Sequence, residues 1–123
     1  MMISHIDHLV LTVSNIDASV DFYRRVLLME EVTFSGGRKA LKFGRQKINL
    51  QLLGQETRNN ARVGSGDLCL ITNWAINDVI THLHRLDVEI VEGPVEKSGA
   101  TGAITSIYFL DPDSNLIEVS TYQ

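Results

Sequence analysis

Hydrophobic and polar residues alternate along the first fifty residues in a strand, helix, strand, strand, strand order. HLVLTV (8–13) alternates with the period of a β-strand, and the following segment (17–30) carries a helical stripe of Val20, Tyr23, Val26 and Leu27. Asp17 is the predicted N-cap, because its side chain can accept from the free backbone donors of the first turn. Three strand-like segments follow, separated by glycine and basic residues: EEVTFSG, KALKFG and KINLQLL. The first half therefore predicts a βαβββ unit.

The same pattern restarts after residue 66. A polar, glycine-bounded stretch (54–66) without hydrophobic period reads as a surface linker. DLCLIT (67–72) is again a strand, and the next segment (77–87) has a helical stripe of Val79, Ile80, Leu83 and Leu86. Three more strands are predicted, joined by GPVEKSGATG and DPDS: VEIVEG, AITSIYFL and NLIEVSTY. We interpret the chain as a single domain (1–123) built from module 1 (about 3–53), the linker and module 2 (67–122).

This internal repeat predicts an α+β fold in which two βαβββ modules pair into a curved, barrel-like mixed sheet with a concave face. Equivalent positions of the two modules should then face one another. Aligning HLVLTV with DLCLIT pairs His8 with Asp67, and aligning KINLQL with NLIEVS pairs Gln51 with Glu118. Four polar side chains thus occupy two equivalent pairs of strand positions.

Strand alternation indicates where these four side chains point. If the leucines of HLVLTV pack under the helix, His8 turns to the opposite, concave face, and the same rule applies to Gln51, Asp67 and Glu118. An imidazole, an amide and two carboxylates in a partly apolar cup would leave buried charge uncompensated unless a cation sits among them. We therefore expect one divalent metal ion bound by these four residues.

Neighbouring positions define the rest of the predicted pocket. Val10 and Cys69 should line the cup beside the metal, with Cys69 as wall rather than nucleophile, since a free cysteine usually behaves as a small hydrophobe. Asn49 lies on the same strand face as Gln51 and is its substitute as fourth ligand if the register slips by two residues.

The chain resembles the vicinal oxygen chelate superfamily, which includes glyoxalase I, extradiol dioxygenases, fosfomycin-resistance thiol transferases and bleomycin-resistance proteins. DHLVLTVSNIDASVDFYRRVLLM at the front and YFLDPDSNLIEV at the back carry the resemblance, which covers nearly the whole chain. Within it the chain is most similar to small glyoxalase-domain and virulence-associated proteins. The family places metal ligands at positions matching His8, Gln51, Asp67 and Glu118. Asp67 and Gln51 depart from the histidine and glutamate that are common there.

The resemblance implies a metal-dependent enzyme of the glyoxalase type, a lyase or isomerase acting on a small oxygen-chelating substrate. Glu118 is the expected catalytic base, and because Gln51 cannot titrate, a one-base mechanism is indicated. The oxygen-rich donor set leaves nickel, manganese, iron, cobalt, zinc and magnesium open. One alternative is a metal-dependent thiol transferase, which would need an anion pocket; the candidate residues for that pocket are Arg38, Lys39, Arg45 and Lys47. A dioxygenase is another enzymatic alternative. A non-catalytic small-molecule binder and a subunit whose cup is an interface are the non-enzymatic ones.

Charge and hydropathy add limits on partners. The net charge of −4, with acidic and basic residues interspersed, argues against a nucleic-acid surface. Neither a basic leader nor an apolar run of membrane-spanning length occurs, so we expect a cytoplasmic protein without a membrane partner. The single cysteine excludes an internal disulfide. A homodimer is expected from the resemblance, with the cup closed within one chain or by module exchange, and the glycine-containing segment EGPVEKSGATGAI is a candidate mobile cover.

Overall fold

The computed structural model describes residues 1–123 and contains eight strands and two α-helices. In chain order the elements are β1 (His8–Val13), α1 (Ile16–Leu27), β2 (Glu30–Phe34), β3 (Arg38–Phe43), β4 (Gln46–Leu52), β5 (Asp67–Ile71), α2 (Ile76–Arg85), β6 (Glu92–Gly99), β7 (Gly102–Leu110) and β8 (Leu116–Tyr122). A single 3₁₀ turn, Ser35–Gly37, joins β2 to β3. Neither helix is long and apolar enough to cross a membrane.

The strands form two four-stranded mixed sheets with the same topology. Their orders are β1-β4-β3-β2 and β5-β8-β7-β6, with the first two strands of each order parallel and the others antiparallel. The two βαβββ repeats predicted from the sequence are thereby confirmed. The chain divides into two compact units, Met1–Ser65 and Gly66–Gln123, each containing one helix and one sheet.

In the first unit α1 packs against β2, β3 and β4. The helix buries the predicted stripe positions Val20, Tyr23 and Val26 against strand residues that include Leu41 and Ile48, which are fully buried. The N-cap is Asn15 rather than the predicted Asp17: the Asn15 side chain accepts from the backbone N–H of Ala18 at 2.9 Å. Asp17 lies within the first turn, where its negative charge interacts favourably with the positive end of the helix dipole.

In the second unit α2 packs against β7. Val79 and Leu83 are its buried residues, and the sheet side of this core includes Ile107, Phe109 and Ile117, none of which is exposed. In both units the strand residues that alternate with these core residues lie on the sheet face away from the helix.

The position of β6 differs from the prediction. VEIVEG was expected to form the strand, and the segment after it was expected to be a connection or a mobile cover. Instead β6 covers Glu92–Gly99 and pairs antiparallel with β7, with a register irregularity between Glu92 and Val95. Gly93 has φ +105°, and a Cβ there would clash with the carbonyl oxygen of Ser106. The Gly-Pro pair that signals a loop in the sequence therefore belongs to an irregular strand in close contact with its neighbour.

The DPDSN segment between β7 and β8 forms a turn held by side chains. The buried Asp111 carboxylate accepts from the Asn115 backbone N–H at 2.9 Å and from its side-chain amide at 2.8 Å. Asn115 in turn accepts from the Gly66 N–H at 2.6 Å, and the Leu116 N–H donates to the Gly66 carbonyl at 3.0 Å. The turn thus fixes the residue immediately before β5.

Candidate functional site

His8 begins the polar face of the first sheet. It is exposed, and its Nδ1 lies 2.8 Å from Asp7 Oδ2. This hydrogen bond lowers the pKa of the Asp7 carboxyl, with smaller contributions from the charges of His8, Lys47 and His5. When Asp7 accepts from the Nδ1–H, Nε2 is the ring nitrogen left to bind a ligand. A carboxylate that orients a histidine in this way is typical of metal-binding histidines.

Gln51 lies farther along this face than the sequence alignment implied. In the parallel β1–β4 pair His8 is opposite Lys47, and Gln51 is opposite Thr12. The Gln51 Nε2 donates to Thr12 Oγ1 at 3.1 Å, and the residue is 6 % exposed. Four strand residues, or about 13 Å, separate the backbone levels of His8 and Gln51.

Asn49 lies between them and has an unusual side chain. It is 5 % exposed, and its buried Oδ1 has no hydrogen-bond partner. Its strand neighbours on the two sides are Val10 and Ala40, neither of which has a side-chain donor. A buried amide oxygen left in this state costs about 1–3 kcal/mol, which makes it a natural acceptor or ligand site.

The second sheet shows which of the two amides matches Glu118. In the parallel β5–β8 pair Asp67 is opposite Leu116, and Cys69 is opposite Glu118. Glu118 is therefore two residues farther along β8 than the residue opposite Asp67. In the same way, Asn49 is two residues farther along β4 than the residue opposite His8. The alignment that paired Gln51 with Glu118 is offset by two residues from the structural equivalence, and Asn49 occupies the equivalent position.

Glu118 stands at the end of a chain of hydroxyl and thiol groups. Ser106 Oγ donates to Glu118 Oε2 at 2.6 Å and lies 2.6 Å from Ser120 Oγ, which is 3.3 Å from the same carboxylate oxygen. Cys69 Sγ lies 3.4 Å from Ser120 Oγ. Because each hydroxyl has one proton and Ser106 donates its proton to Glu118, the 2.6 Å contact between the two serines favours donation from Ser120 to Ser106. Both serines are fully buried, so the carboxylate is held from below in one orientation.

Tyr108 flanks the same carboxylate from β7, where it is opposite Glu118. Burial, followed by its hydrogen bond to the Glu118 carboxylate, raises the pKa of Tyr108 to about 12. Lys97 Nζ lies 5.5 Å from the centre of its ring and 3.4 Å from Glu92 Oε2. The phenol is protonated at neutral pH and serves as a hydrogen-bond donor. No sequence motif singles out Tyr108, Ser106 or Ser120.

Cys69 does not have the properties of an activated nucleophile. Burial, and beyond it the negative charge of Glu118, raises the pKa of the thiol, although the hydrogen bond with Ser120 opposes this. A thiol with a raised pKa is mostly protonated and weakly nucleophilic at neutral pH.

The residues predicted to bind metal are divided between the units. No group of three or more His, Cys, Asp or Glu side chains positioned to hold a metal ion occurs in the chain. Each unit nevertheless carries a pair of donors on adjacent alternations of one sheet face: His8 and Asn49 in the first, Asp67 and Glu118 in the second. The imidazole and amide of the first unit, and the two carboxylates of the second, are each donor types that bind divalent metal ions in proteins.

Comparison with known proteins gives the chain close relatives. It is 54% identical, over 99% of its own length and 87% of the relative's, to virulence protein STM3117 of Salmonella typhimurium. The crystal structure of STM3117 superposes with a TM-score of 0.95 at 53% identity, covering both chains completely.

More distant relatives have named activities. Metallothiol transferase FosB of Shouchella clausii is 27% identical over 98% of this chain and 82% of its own. The crystal structure of lactoylglutathione lyase from Agrobacterium tumefaciens has a TM-score of 0.77 at 25% identity, covering 96% of this chain and 93% of that one. Residues 5–119 match the family description across both repeats, and the chain therefore belongs to the Glyoxalase/Bleomycin resistance protein/Dioxygenase superfamily.

Proposed function

We propose that this protein is a metal-dependent enzyme of the glyoxalase type, a lyase or isomerase that acts on a small substrate with two neighbouring oxygen atoms. The observation that carries the proposal is the environment of Glu118. Its carboxylate is held by the Ser106 hydroxyl at 2.6 Å and bordered by the protonated Tyr108. A carboxylate fixed in this way on an open sheet face is suited to move a proton repeatedly.

The proposed metal ligands are His8, Asp67 and Glu118, with a side-chain amide as a further oxygen donor. Of the two amides, Asn49 is the better candidate, because its Oδ1 is buried without a partner while Gln51 is engaged with Thr12. When bound, a divalent ion would act as a Lewis acid on the substrate oxygens and stabilise negative charge that develops there.

The proposed proton transfer uses one base. In a hemithioacetal the Glu118 carboxylate would remove the proton from the hydroxyl-bearing carbon and return it to the adjacent former carbonyl carbon, while one hydroxyl proton passes between the two oxygens. The net change is an isomerisation that requires no oxidant or reductant. Neither Asn49 nor Gln51 can share this task, because an amide does not titrate. Tyr108, as a protonated phenol beside Glu118, would donate a hydrogen bond and keep the carboxylate aimed.

Relatives with named activities support the class of chemistry. Lactoylglutathione lyase and metallothiol transferase are the activities in the names of two of them, and the superfamily typically binds a divalent metal. Its members commonly form dimers, so we propose a homodimer, which a mass measurement in solution would test. We further propose that the protein is cytoplasmic, as expected from its sequence.

Metal content is the first test of the proposal. Purified protein should contain about one equivalent of a divalent metal per chain by elemental analysis, and added metal should raise the melting temperature after chelation. His8→Ala and Glu118→Gln should each lose bound metal, whereas the matched controls His5→Ala and Glu89→Gln should retain it. Equal metal content in all four variants would refute the ligand assignment.

Activity is the second test. The metal-loaded protein should convert a hemithioacetal to its thioester, and Glu118→Gln should abolish this conversion even at metal concentrations that restore binding. A protein that binds small molecules in the cup without metal and without turnover would instead be a member of the bleomycin-resistance type.

A further inference from the structure

Two cations converge on one aromatic ring on the polar face of the first sheet. Lys47 Nζ lies 3.7 Å from the centre of the Phe34 ring, and Arg38 Cζ lies 5.0 Å from the same centre. Phe34 and Arg38 are directly opposite each other in the β2–β3 pair. The ring and Lys47 are half-buried, while the guanidinium is exposed. We call Phe34, Arg38 and Lys47 the cation–ring cluster.

The two charges of this cluster are not neutralised by a carboxylate. Other basic side chains of this unit do have acidic partners, for example Lys39 with Glu31 at 2.9 Å and Arg25 with Asp21 at 3.2 Å. Neither Lys47 nor Arg38 has an ion-pair partner within 4 Å. The charge of Lys47 is felt by Asp7, but the Asp7 carboxylate is hydrogen-bonded to His8. Two like charges on one ring repel, and an anion that contacted both would relieve this repulsion.

The location of the cluster gives it a functional meaning. Lys47 is opposite His8 in the β1–β4 pair, and it alternates with Asn49 on the same face of β4. The Lys47 ammonium, however, contacts Phe34 of the edge strand β2, so an anion bound there would lie on the same sheet face as His8 but towards the β2 edge. The planar guanidinium of Arg38 can bind two oxygens of a carboxylate or phosphate at once, while Lys47 acts as a point charge.

We propose that the cation–ring cluster is an anion subsite, and that the substrate of this enzyme carries a carboxylate or phosphate-type group which Lys47 and Arg38 bind. The Phe34 ring holds the two cations in place in the absence of ligand, so less side-chain entropy is lost on binding. The assignment of this anion to a substrate rests on the proposed function, whereas the existence of the subsite depends only on the first unit.

Phosphate and acetate titrations of the chelator-treated, metal-free protein test the subsite independently of the metal. Binding is followed by calorimetry and by NMR shifts of the first-unit amides, against chloride at the same ionic strength. Wild type should bind at least one of the two anions, and which one it prefers identifies the anionic group. Lys47→Met and Arg38→Met should each weaken binding by about tenfold or more, because each removes a charge-assisted hydrogen bond.

Lys42→Met is the matched control, because Lys42 is the strand neighbour of Lys47 on β3 but does not contact the Phe34 ring. It should weaken anion binding less than twofold. Absence of binding in wild type, or an equal loss in Lys42→Met and Lys47→Met, would overturn the proposal. If anion binding fails these tests while Lys47→Met retains the wild-type metal content, only the anion subsite is refuted and the proposed metal site is unaffected.

Discussion

Replacing Asn49 by leucine should stabilise the metal-free protein, the opposite of what most buried substitutions do. The Asn49 Oδ1 is buried without a hydrogen-bond partner, and the strand neighbours Val10 and Ala40 are apolar. Leucine has the same branched shape as asparagine, although it is larger, and carries no polar atom, so Asn49→Leu removes the desolvation cost of the amide oxygen and adds apolar burial.

The expected gain is about 1–2 kcal/mol in the free energy of unfolding, within the range for one unsatisfied buried carbonyl. For a chain of this size the gain corresponds to an increase in melting temperature of roughly 4–8 °C. Urea denaturation of chelator-treated protein measures the first quantity, and a thermal scan measures the second. When metal is added back, the stability advantage of Asn49→Leu over wild type should shrink or reverse, because the wild-type oxygen can then serve as a ligand while leucine cannot.

Asn49→Asp provides the complementary control. A carboxylate at this position is buried among apolar neighbours, so the metal-free variant should lose about 2 kcal/mol or more, and added divalent metal should recover most of that loss. If Asn49→Leu lowers the unfolding free energy of the metal-free protein, the amide oxygen is satisfied in solution and the reasoning from its burial is wrong.

Three further results are expected. Hydrogen bonding and ion pairing with Arg58 lower the pKa of Glu56 to about 2, so its contribution to stability is present above the usual carboxyl pKa and disappears as pH falls towards 2; an NMR titration checks this, and Arg58→Met should raise this pKa only part of the way, because the backbone N–H groups of Thr57 and Arg58 still donate to the carboxylate. Because its pKa is raised, Cys69 should react with iodoacetamide more slowly at pH 8 than an unstructured cysteine peptide does, and equal rates would contradict the protonated-thiol interpretation. Asp111→Ala removes the acceptor for the Asn115 side-chain and backbone donors and should cost about 2–3 kcal/mol in urea denaturation, whereas a loss below about 0.5 kcal/mol would show that the turn does not depend on this carboxylate.

The repeat and most elements could be predicted from the sequence, because strand and helix periods are properties of local burial. Val20, Tyr23 and Val26 form the predicted buried stripe of α1. The strand β6 was misplaced, because Gly93 and Pro94 have the composition of a turn while the tertiary contact with β7 makes them part of an irregular strand. Long-range pairing of this kind leaves no local sequence pattern.

The candidate site was predictable in its face but not in its register. Alternation predicts polar sheet faces for His8, Asp67 and Glu118, and in the structure each of these residues alternates with more buried residues of its strand. Whether Asn49 or Gln51 is equivalent to Glu118 depends on how β4 is aligned with β1, and a shift of two residues preserves the alternation entirely. The unpartnered oxygen of Asn49 distinguishes the two amides, and only three-dimensional neighbours reveal it.

The turn that follows β7 has a consequence for how this chain tolerates change. The Asn115 side chain accepts from the Gly66 N–H, and the Leu116 N–H donates to the Gly66 carbonyl. The start of β5 is therefore fixed by hydrogen bonds within the second unit and not by the residues that precede it. Insertions or deletions in 55–64 can therefore accumulate without shifting Asp67 along its strand. A change in the length of this segment would thus leave Asp67 and Glu118 in the same strand register.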